Sequence, residues 1–176
     1  MRVLHLLDQC DAACTGTTLA MIADAFGRLG HIEQHVMLLG GEATAQSAQH
    51  VGLKDAQIIG VPRGSALLGW PTIERHLRHL STFDLIHCWS PGTLTFAAMR
   101  WRRTPRVMTL TQMPSPKRVR WLRVLMREAA GRTMLLPISA TIRRELLAGG
   151  IEESSTVLLR PGIDVYLLND KAREPH

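Results

Sequence analysis

Short apolar runs alternate with longer segments of helical periodicity along this 176-residue chain, and that alternation restricts the folds available to it. The runs predict strands at Val3 to Leu7, Gln34 to Leu39, Gln57 to Val61, Leu85 to Cys88, Arg106 to Leu110, Met134 to Ile138 and Thr156 to Leu159. Helices are predicted at Thr17 to Leu29, Gln46 to Val51, Pro71 to Leu80, Thr93 to Arg100, Lys117 to Ala130 and Ala140 to Ala148. The pattern predicts an α/β, Rossmann-like, doubly wound and mainly parallel sheet of about seven strands with helices on both faces.

Length and composition favour one compact domain. A chain of 176 residues, 45% of them hydrophobic, can bury one core but is short for two. We therefore expect a domain over residues 1–168 and a loose tail, or the start of an interdomain linker, over 169–176. The apolar runs are shorter than the roughly 18 to 20 residues of a membrane-spanning helix, and the N-terminus lacks a signal-peptide pattern.

The three cysteines, Cys10, Cys14 and Cys88, are an odd number and favour reduced thiols over a disulfide framework. A cytoplasmic location follows as an expectation. A metal site at Cys10 and Cys14 with His5 lacks a second pair of ligands, so we predict no metal.

The whole chain has a formal net charge of +6. Many of its basic residues fall within one third of the chain. The residues concerned are Arg100, Arg102, Arg103, Arg106, Lys117, Arg118, Arg120, Arg123, Arg127 and Arg132. Such a surplus favours anionic partners without choosing among nucleic acid, phosphorylated sugars and acidic lipids.

The loop after the first predicted strand is a candidate ligand-binding segment. In a doubly wound sheet, ligands bind beyond the carboxyl ends of the strands, and a helix N-terminus there offers free N–H groups. Thr15, Gly16 and Thr17 thus form a candidate acceptor or phosphate loop, or simply a helix cap with Thr17 as N-cap. The chain has neither the glycine-rich dinucleotide fingerprint nor the Walker motif with its lysine.

A basic helix is predicted after Ser115, with Pro116 at its first position. One interpretation is a surface helix that packs its apolar side on the core. The other is a helix that lies on an anionic membrane, where each basic residue contributes roughly 1 kcal/mol. The membrane or anion surface would then comprise Lys117, Arg118, Arg120, Trp121, Arg123 and Arg127. Nucleic-acid binding is a weaker hypothesis, because no helix-turn-helix or RNP-like motif accompanies the charge.

The last part of the chain combines a predicted strand, a Ser139-capped helix, the stop Gly149-Gly150, a further strand and the turn Arg160-Pro161-Gly162-Ile163-Asp164. This arrangement resembles the last βαβ unit of the N-terminal domain in group 1 GT-B-fold glycosyltransferases, the family of sucrose synthase and glycogen synthase. The resemblance implies the acceptor-side domain of an enzyme that transfers a sugar from a nucleotide-sugar donor to an alcohol. Its partners would be a sugar, glycan or lipid-linked acceptor and a C-terminal donor-binding domain.

Other segments resemble the same family but depart from it at individual positions. Thr15-Gly16 replaces the family's Gly-Gly pair. In the segment Phe83 to Ser90, His87 matches the first of two family histidines and Trp89 replaces the second. Thr111, followed by Gln112, occupies the place of a histidine beneath the transferred sugar. The resemblance implies a cleft lined by His87, Trp89, Ser90, Thr111 and Gln112.

None of these residues is assigned to catalysis. Thr111 and Gln112 can hydrogen-bond a sugar but do not titrate near neutral pH, and His87, at the end of a strand, is interpreted as orienting the loops of the cleft rather than transferring a proton. The chain alone is expected to be inactive and to hold no cofactor, the nucleotide sugar being a substrate of the complete enzyme. Two other hypotheses remain. One is a non-catalytic binding or scaffold subunit that recruits a separate catalytic chain at a membrane surface. The other is a nucleotide-dependent oxidoreductase, which lacks the support of a glycine fingerprint.

Overall fold

The computed structural model describes residues 1–8, 31–40, 57–60, 82–128 and 131–160. Strands in these segments are Arg2–Leu7 (β1), Glu33–Gly40 (β2), Gln57–Gly60 (β3), Leu85–Cys88 (β4), Arg106–Leu110 (β5) and Thr133–Pro137 (β6). Helices are Pro91–Arg100 (α1), Pro116–Glu128 (α2) and Ala140–Ala148 (α3), with a 3-10 turn at Glu153–Ser155. The helices predicted at 17–29, 46–51 and 71–80 lie outside the described residues.

The described strands form one sheet in the order β3-β2-β1-β4-β5-β6, and every neighbouring pair is parallel. The order reverses at β1, which pairs with β2 on one side and with β4 on the other. This topology confirms the predicted α/β, Rossmann-like sheet. In such sheets a crevice opens at the carboxyl ends of the strands where the order reverses.

The predicted seventh strand, Thr156 to Leu159, is a bridged segment at the edge of the sheet. Thr156 forms an isolated parallel bridge with Leu135. The amides of Val157 and Leu159 donate to the carbonyls of Leu135 and Pro137, both at 2.9 Å. The segment therefore follows β6, but within the described residues it is too short and irregular to count as a further strand.

Capping residues determine where the helices begin. Ser90 is the N-cap of α1, and its side chain and that of Thr93 form a reciprocal capping box. Pro91 takes the first helical position, so α1 begins two residues before the predicted Thr93. Helix α3 has the predicted bounds because Ser139 accepts from the amide of Ile142 at its start and Gly149 follows its end.

The core lies between the sheet and the three helices. Buried residues of the strands include Leu4, Leu6, Ile86, Met108 and Leu135, and those of the helices include Leu94, Phe96, Val119, Leu122, Ile142 and Leu146. The end of α3 packs closely on α2, because a Cβ atom added at Gly149 would overlap the side chain of Val119. This packing fixes α2 beside the carboxyl end of β5.

Candidate functional site

A cleft of about 310 Å³ lies at the carboxyl ends of β1, β4 and β5. Its walls are Asp8 after β1, residues 89–92 around the start of α1, residues 108–114 at and after the end of β5, and Arg118 on α2. The cleft therefore occupies the crevice that the strand order creates beside β1.

Asp8 and Ser90 form a hydrogen-bonded polar pair in this cleft. The Ser90 hydroxyl donates to Oδ2 of Asp8 at 2.7 Å, and Oγ of Ser90 accepts from the amide of Thr93 at 3.1 Å. The Asp8 carboxylate is thereby held near the N-terminus of α1, where the helix dipole favours a negative charge. Ser90 thus both caps the helix and orients the carboxylate.

Uncharged and positively charged groups line the rest of the cleft. Thr111 is half-buried and Gln112 is exposed, and both follow β5 directly. Arg118 is exposed on the first turn of α2. A carboxylate, a hydroxyl, an amide and a guanidinium group therefore face one cavity, a set that can donate to and accept from the hydroxyls of a sugar.

His87 lies in the core behind the cleft and supports its wall. Its Nε2 atom is hydrogen-bonded to Oγ1 of Thr109 at 2.7 Å. Its ring stacks on that of Trp89, with centroids 4.6 Å apart and an angle of 27° between the planes. Trp89 and Thr109 line the cleft, whereas His87 does not. The histidine therefore touches the two wall residues rather than the cavity itself.

A second buried histidine, His5 of β1, accompanies His87, with ring centroids 5.0 Å apart. Burial lowers the pKa of His5 to about 4. Burial, and after it the positive charge that His5 would carry, lower the pKa of His87 well below its usual value. Both rings are therefore neutral at physiological pH, and neither acts as a titrating group there.

The six residues predicted for an anionic surface differ in exposure. Lys117, Arg118, Arg120 and Arg127 are exposed on α2. Trp121 is half-buried and packs against the core, and Arg123 is half-buried against Gly150, whose added Cβ would lie 3.0 Å from Nη1 of Arg123. Val124 takes the exposed apolar position instead, with 58% of its surface accessible. One exposed face of α2 carries Lys117, Arg120, Val124 and Arg127 at helical spacing.

The structure thus brings Trp89, Ser90, Thr111 and Gln112 together at one cleft and puts His87 behind it. Thr15, Gly16 and Thr17 lie outside the described residues. Sequence reasoning did not select Asp8 for the cleft, although its signal was present: it is the first charged residue after the central strand. Among the residues that the structure describes, no group of three or more histidines, cysteines or acidic side chains could hold a metal ion. In that same part of the chain, no helix has the length and apolar character needed to cross a membrane.

Several solved structures share the fold of this chain. Alr3699/HepE of Anabaena, in complex with UDP and glucose, superposes with a TM-score of 0.72 at 18% identity, over 95% of this chain and 46% of that chain. The same protein in complex with UDP-glucose gives a TM-score of 0.68 at 19% identity, over 95% of this chain and 45% of that chain. A glycosyltransferase from Rickettsia africae ESF-5 gives 0.67 at 15% identity, over 99% and 46%. The chain therefore spans less than half the length of these proteins.

No curated protein matches the chain by sequence. A family model, Glycosyltransferase Family 4, matches residues 15–166. That match covers most of the chain and agrees with the fold, the strand order and the GT-B N-terminal type of domain indicated by the sequence. The chain belongs to glycosyltransferase family 4.

Proposed function

We propose that this chain is the acceptor-binding, N-terminal domain of a glycosyltransferase that transfers a sugar from a nucleotide-sugar donor to an alcohol. The observation that supports the proposal is the cleft at the carboxyl ends of β1, β4 and β5, where Ser90 holds the Asp8 carboxylate beside hydroxyl and amide groups. The HepE structures, whose chains are about twice as long, contain UDP with glucose and UDP-glucose.

The cleft groups would bind the acceptor by complementary hydrogen bonds. An acceptor hydroxyl would donate to Asp8, whose Oδ2 already accepts from Ser90. Thr111 and Gln112 can each donate and accept, so they suit neighbouring hydroxyls of a sugar or glycan. His87 and Thr109 would keep Trp89 and the end of β5 in position.

Donor binding is proposed to reside in a C-terminal domain, so we expect this chain alone to transfer no sugar. Incubation with UDP-glucose and a panel of alcohols should release no UDP above the rate without protein. Turnover at micromolar protein concentration would contradict the proposal that donor binding requires a C-terminal domain.

Acceptor recognition is tested by ligand-observed NMR with glucose as a simple polyhydroxyl probe. Asp8→Asn removes the charge while keeping the shape, and it should weaken binding about tenfold, because hydrogen bonds to charged groups contribute about 1.5–3 kcal/mol. Glu152→Gln, at an exposed carboxylate remote from the cleft, is the matched control. Equal affinity for glucose in wild type, Asp8→Asn and the control would refute a role for the cleft.

A second candidate function is a non-catalytic subunit that recruits a catalytic chain at a membrane. It is favoured by Thr111, which replaces a histidine of the resembled family, and by the exposed face of α2, where three cations surround Val124. A basic helix with an apolar residue can bind an anionic bilayer surface.

Co-sedimentation with vesicles separates this second candidate from the first. Binding to acidic but not neutral vesicles should be lost in Arg120→Gln/Arg127→Gln and retained in Arg144→Gln/Arg160→Gln, which removes two exposed arginines elsewhere. Absence of binding to both vesicle types, or equal loss in both double variants, would reject the membrane interpretation.

A further inference from the structure

A second recess, of about 510 Å³, lies at the opposite ends of the strands from the cleft. Arg106 is the first residue of β5 and Arg132 directly precedes β6, so the recess opens at the amino ends of these strands. Arg102, which follows α1, supplies a third guanidinium group to its wall. No part of the proposed acceptor function uses these three arginines.

Arg106 is unusual because its charge is buried beside uncharged partners. Only 3% of the residue is exposed. Its Nε donates to Oγ1 of Thr133 at 3.1 Å, and its Nη1 donates to the carbonyl of Trp101 at 2.8 Å. Both acceptors are neutral, and no ion pair joins Arg106 to a carboxylate among the described residues. A buried charge without an opposite charge is costly, so this guanidinium group is poised to accept an anion.

Like charges near Arg106 increase the energetic cost of its unpaired positive charge. Desolvation lowers its pKa, and the positive charge of Arg132 acts in the same direction, against a contribution from Cys88 that raises it. Arg132 and Arg102 are exposed and lie next to each other, since Nη1 of Arg132 donates to the carbonyl of Arg102 at 3.4 Å.

Glu128 at the end of α2 is the carboxylate among the described residues that line this recess. It forms no ion pair with the three arginines within the described structure. Three guanidinium groups and one carboxylate leave two positive charges at the wall. A single bound dianion would neutralise them.

We propose that this recess binds a phosphate group, as the dianion of a phosphate monoester. Such a group carries about −1.5 to −2 charges at pH 7 and has three strong acceptor oxygens. Guanidinium groups match these oxygens in a planar, two-pronged geometry that lysine does not provide. Met99 and Leu125, which also line the recess, would contact the carbon part of the ligand.

The test is an NMR titration of the full chain with glycerol 3-phosphate, with glycerol as the uncharged control. The Nε–H resonance of Arg106 should shift saturably with the phosphate and not with glycerol. Arg102→Gln and Arg132→Gln should each weaken binding about tenfold, as expected for loss of a charge-assisted hydrogen bond. Arg103→Gln removes an exposed arginine of the same turn that does not line the recess, and it should bind as wild type does.

Binding should also weaken below pH 6, where the phosphate dianion takes up a proton and becomes a monoanion. The site is refuted if no saturable shift occurs, or if Arg103→Gln weakens binding as much as the other two variants. Vesicles that contain phosphatidic acid provide a second arm. Binding to both vesicles and glycerol 3-phosphate, lost in Arg102→Gln and Arg132→Gln, would identify a lipid headgroup as the source. Binding to glycerol 3-phosphate alone would identify a soluble phosphate.

Discussion

The pair of buried histidines predicts that this domain loses stability in mild acid. His5 is fully buried and its pKa is about 4 in the folded chain, against 6.5 for a free histidine. Because the folded value is depressed, the unfolded chain takes up the proton first. The stabilisation is therefore complete above pH 6.5 and is lost as the pH falls from 6.5 towards 4.

The size of the loss follows from the His5 values. A difference of 2.5 pH units corresponds to roughly 3.4 kcal/mol when the transition is complete, at 1.36 kcal/mol per unit. At pH 5 the unfolded side chain is almost fully protonated and the folded one is not, so about 2 kcal/mol is already lost. His87, whose pKa is also lowered, adds to this loss in the same direction.

Urea unfolding at pH 7 and pH 5, followed by tryptophan fluorescence, measures the effect, since Trp89 is buried against His87. His5→Leu removes one titrating group from the core and should make the free energy of unfolding depend less steeply on pH. The same free energy of unfolding at both pH values in the wild type, or an unchanged pH dependence in His5→Leu, would refute the argument.

Three further predictions concern packing and capping, and each is measured by chemical denaturation at pH 7. Ser90→Ala should destabilise the chain by about 1–2 kcal/mol through loss of the α1 cap, and Ser90→Thr should restore much of it; equal stability of Ser90→Ala and wild type would contradict the cap. Gly149→Ala should cost about 1–3 kcal/mol because its methyl group would overlap Val119, and the simultaneous change Val119→Ala should reduce that cost. Leu122→Ala should cost about 2–5 kcal/mol because Leu122 is fully buried, whereas Val124→Ala on the exposed side of the same helix should change stability by less than about 0.5 kcal/mol; similar costs at both positions would contradict this orientation of α2.

Local signals explain how much of the fold was predictable. Helix α3 has its predicted bounds because a serine cap and a glycine stop lie on either side of a short periodic segment. Helix α1 starts before the predicted Thr93 because the Ser90 cap admits Pro91 and Gly92 into its first turn. The segment after Thr156 has the composition of a strand. The number of its residues that pair depends on the edge of β6, and no local sequence pattern encodes that number.

The site was less predictable because its contacts join distant parts of the chain. Ser90 and Asp8 are 82 residues apart, and only the pairing of β1 with β4 brings them into hydrogen-bonding distance. The register between β4 and β5 pairs His87 with Val107, so Thr109, two residues further along β5, lies on the same face of the sheet and within hydrogen-bonding distance of His87. Periodicity assigned Trp121 to the basic surface of its helix, yet the ring reaches the core because aromatic side chains extend far along a helix flank.

The position of β1 in the middle of the sheet also bears on how the protein is made. Val3 pairs with Gln34 of β2, which is synthesised soon after it, but its other neighbour is Leu85 in β4. A ribosome adds about 5–20 residues per second, so β1 emerges seconds before the strand that covers its second edge. During that interval a largely apolar strand has one unpaired edge, the form most prone to join another chain. Nascent chains halted before β4 should therefore depend on chaperones, and that dependence should fall once residue 88 has left the exit tunnel.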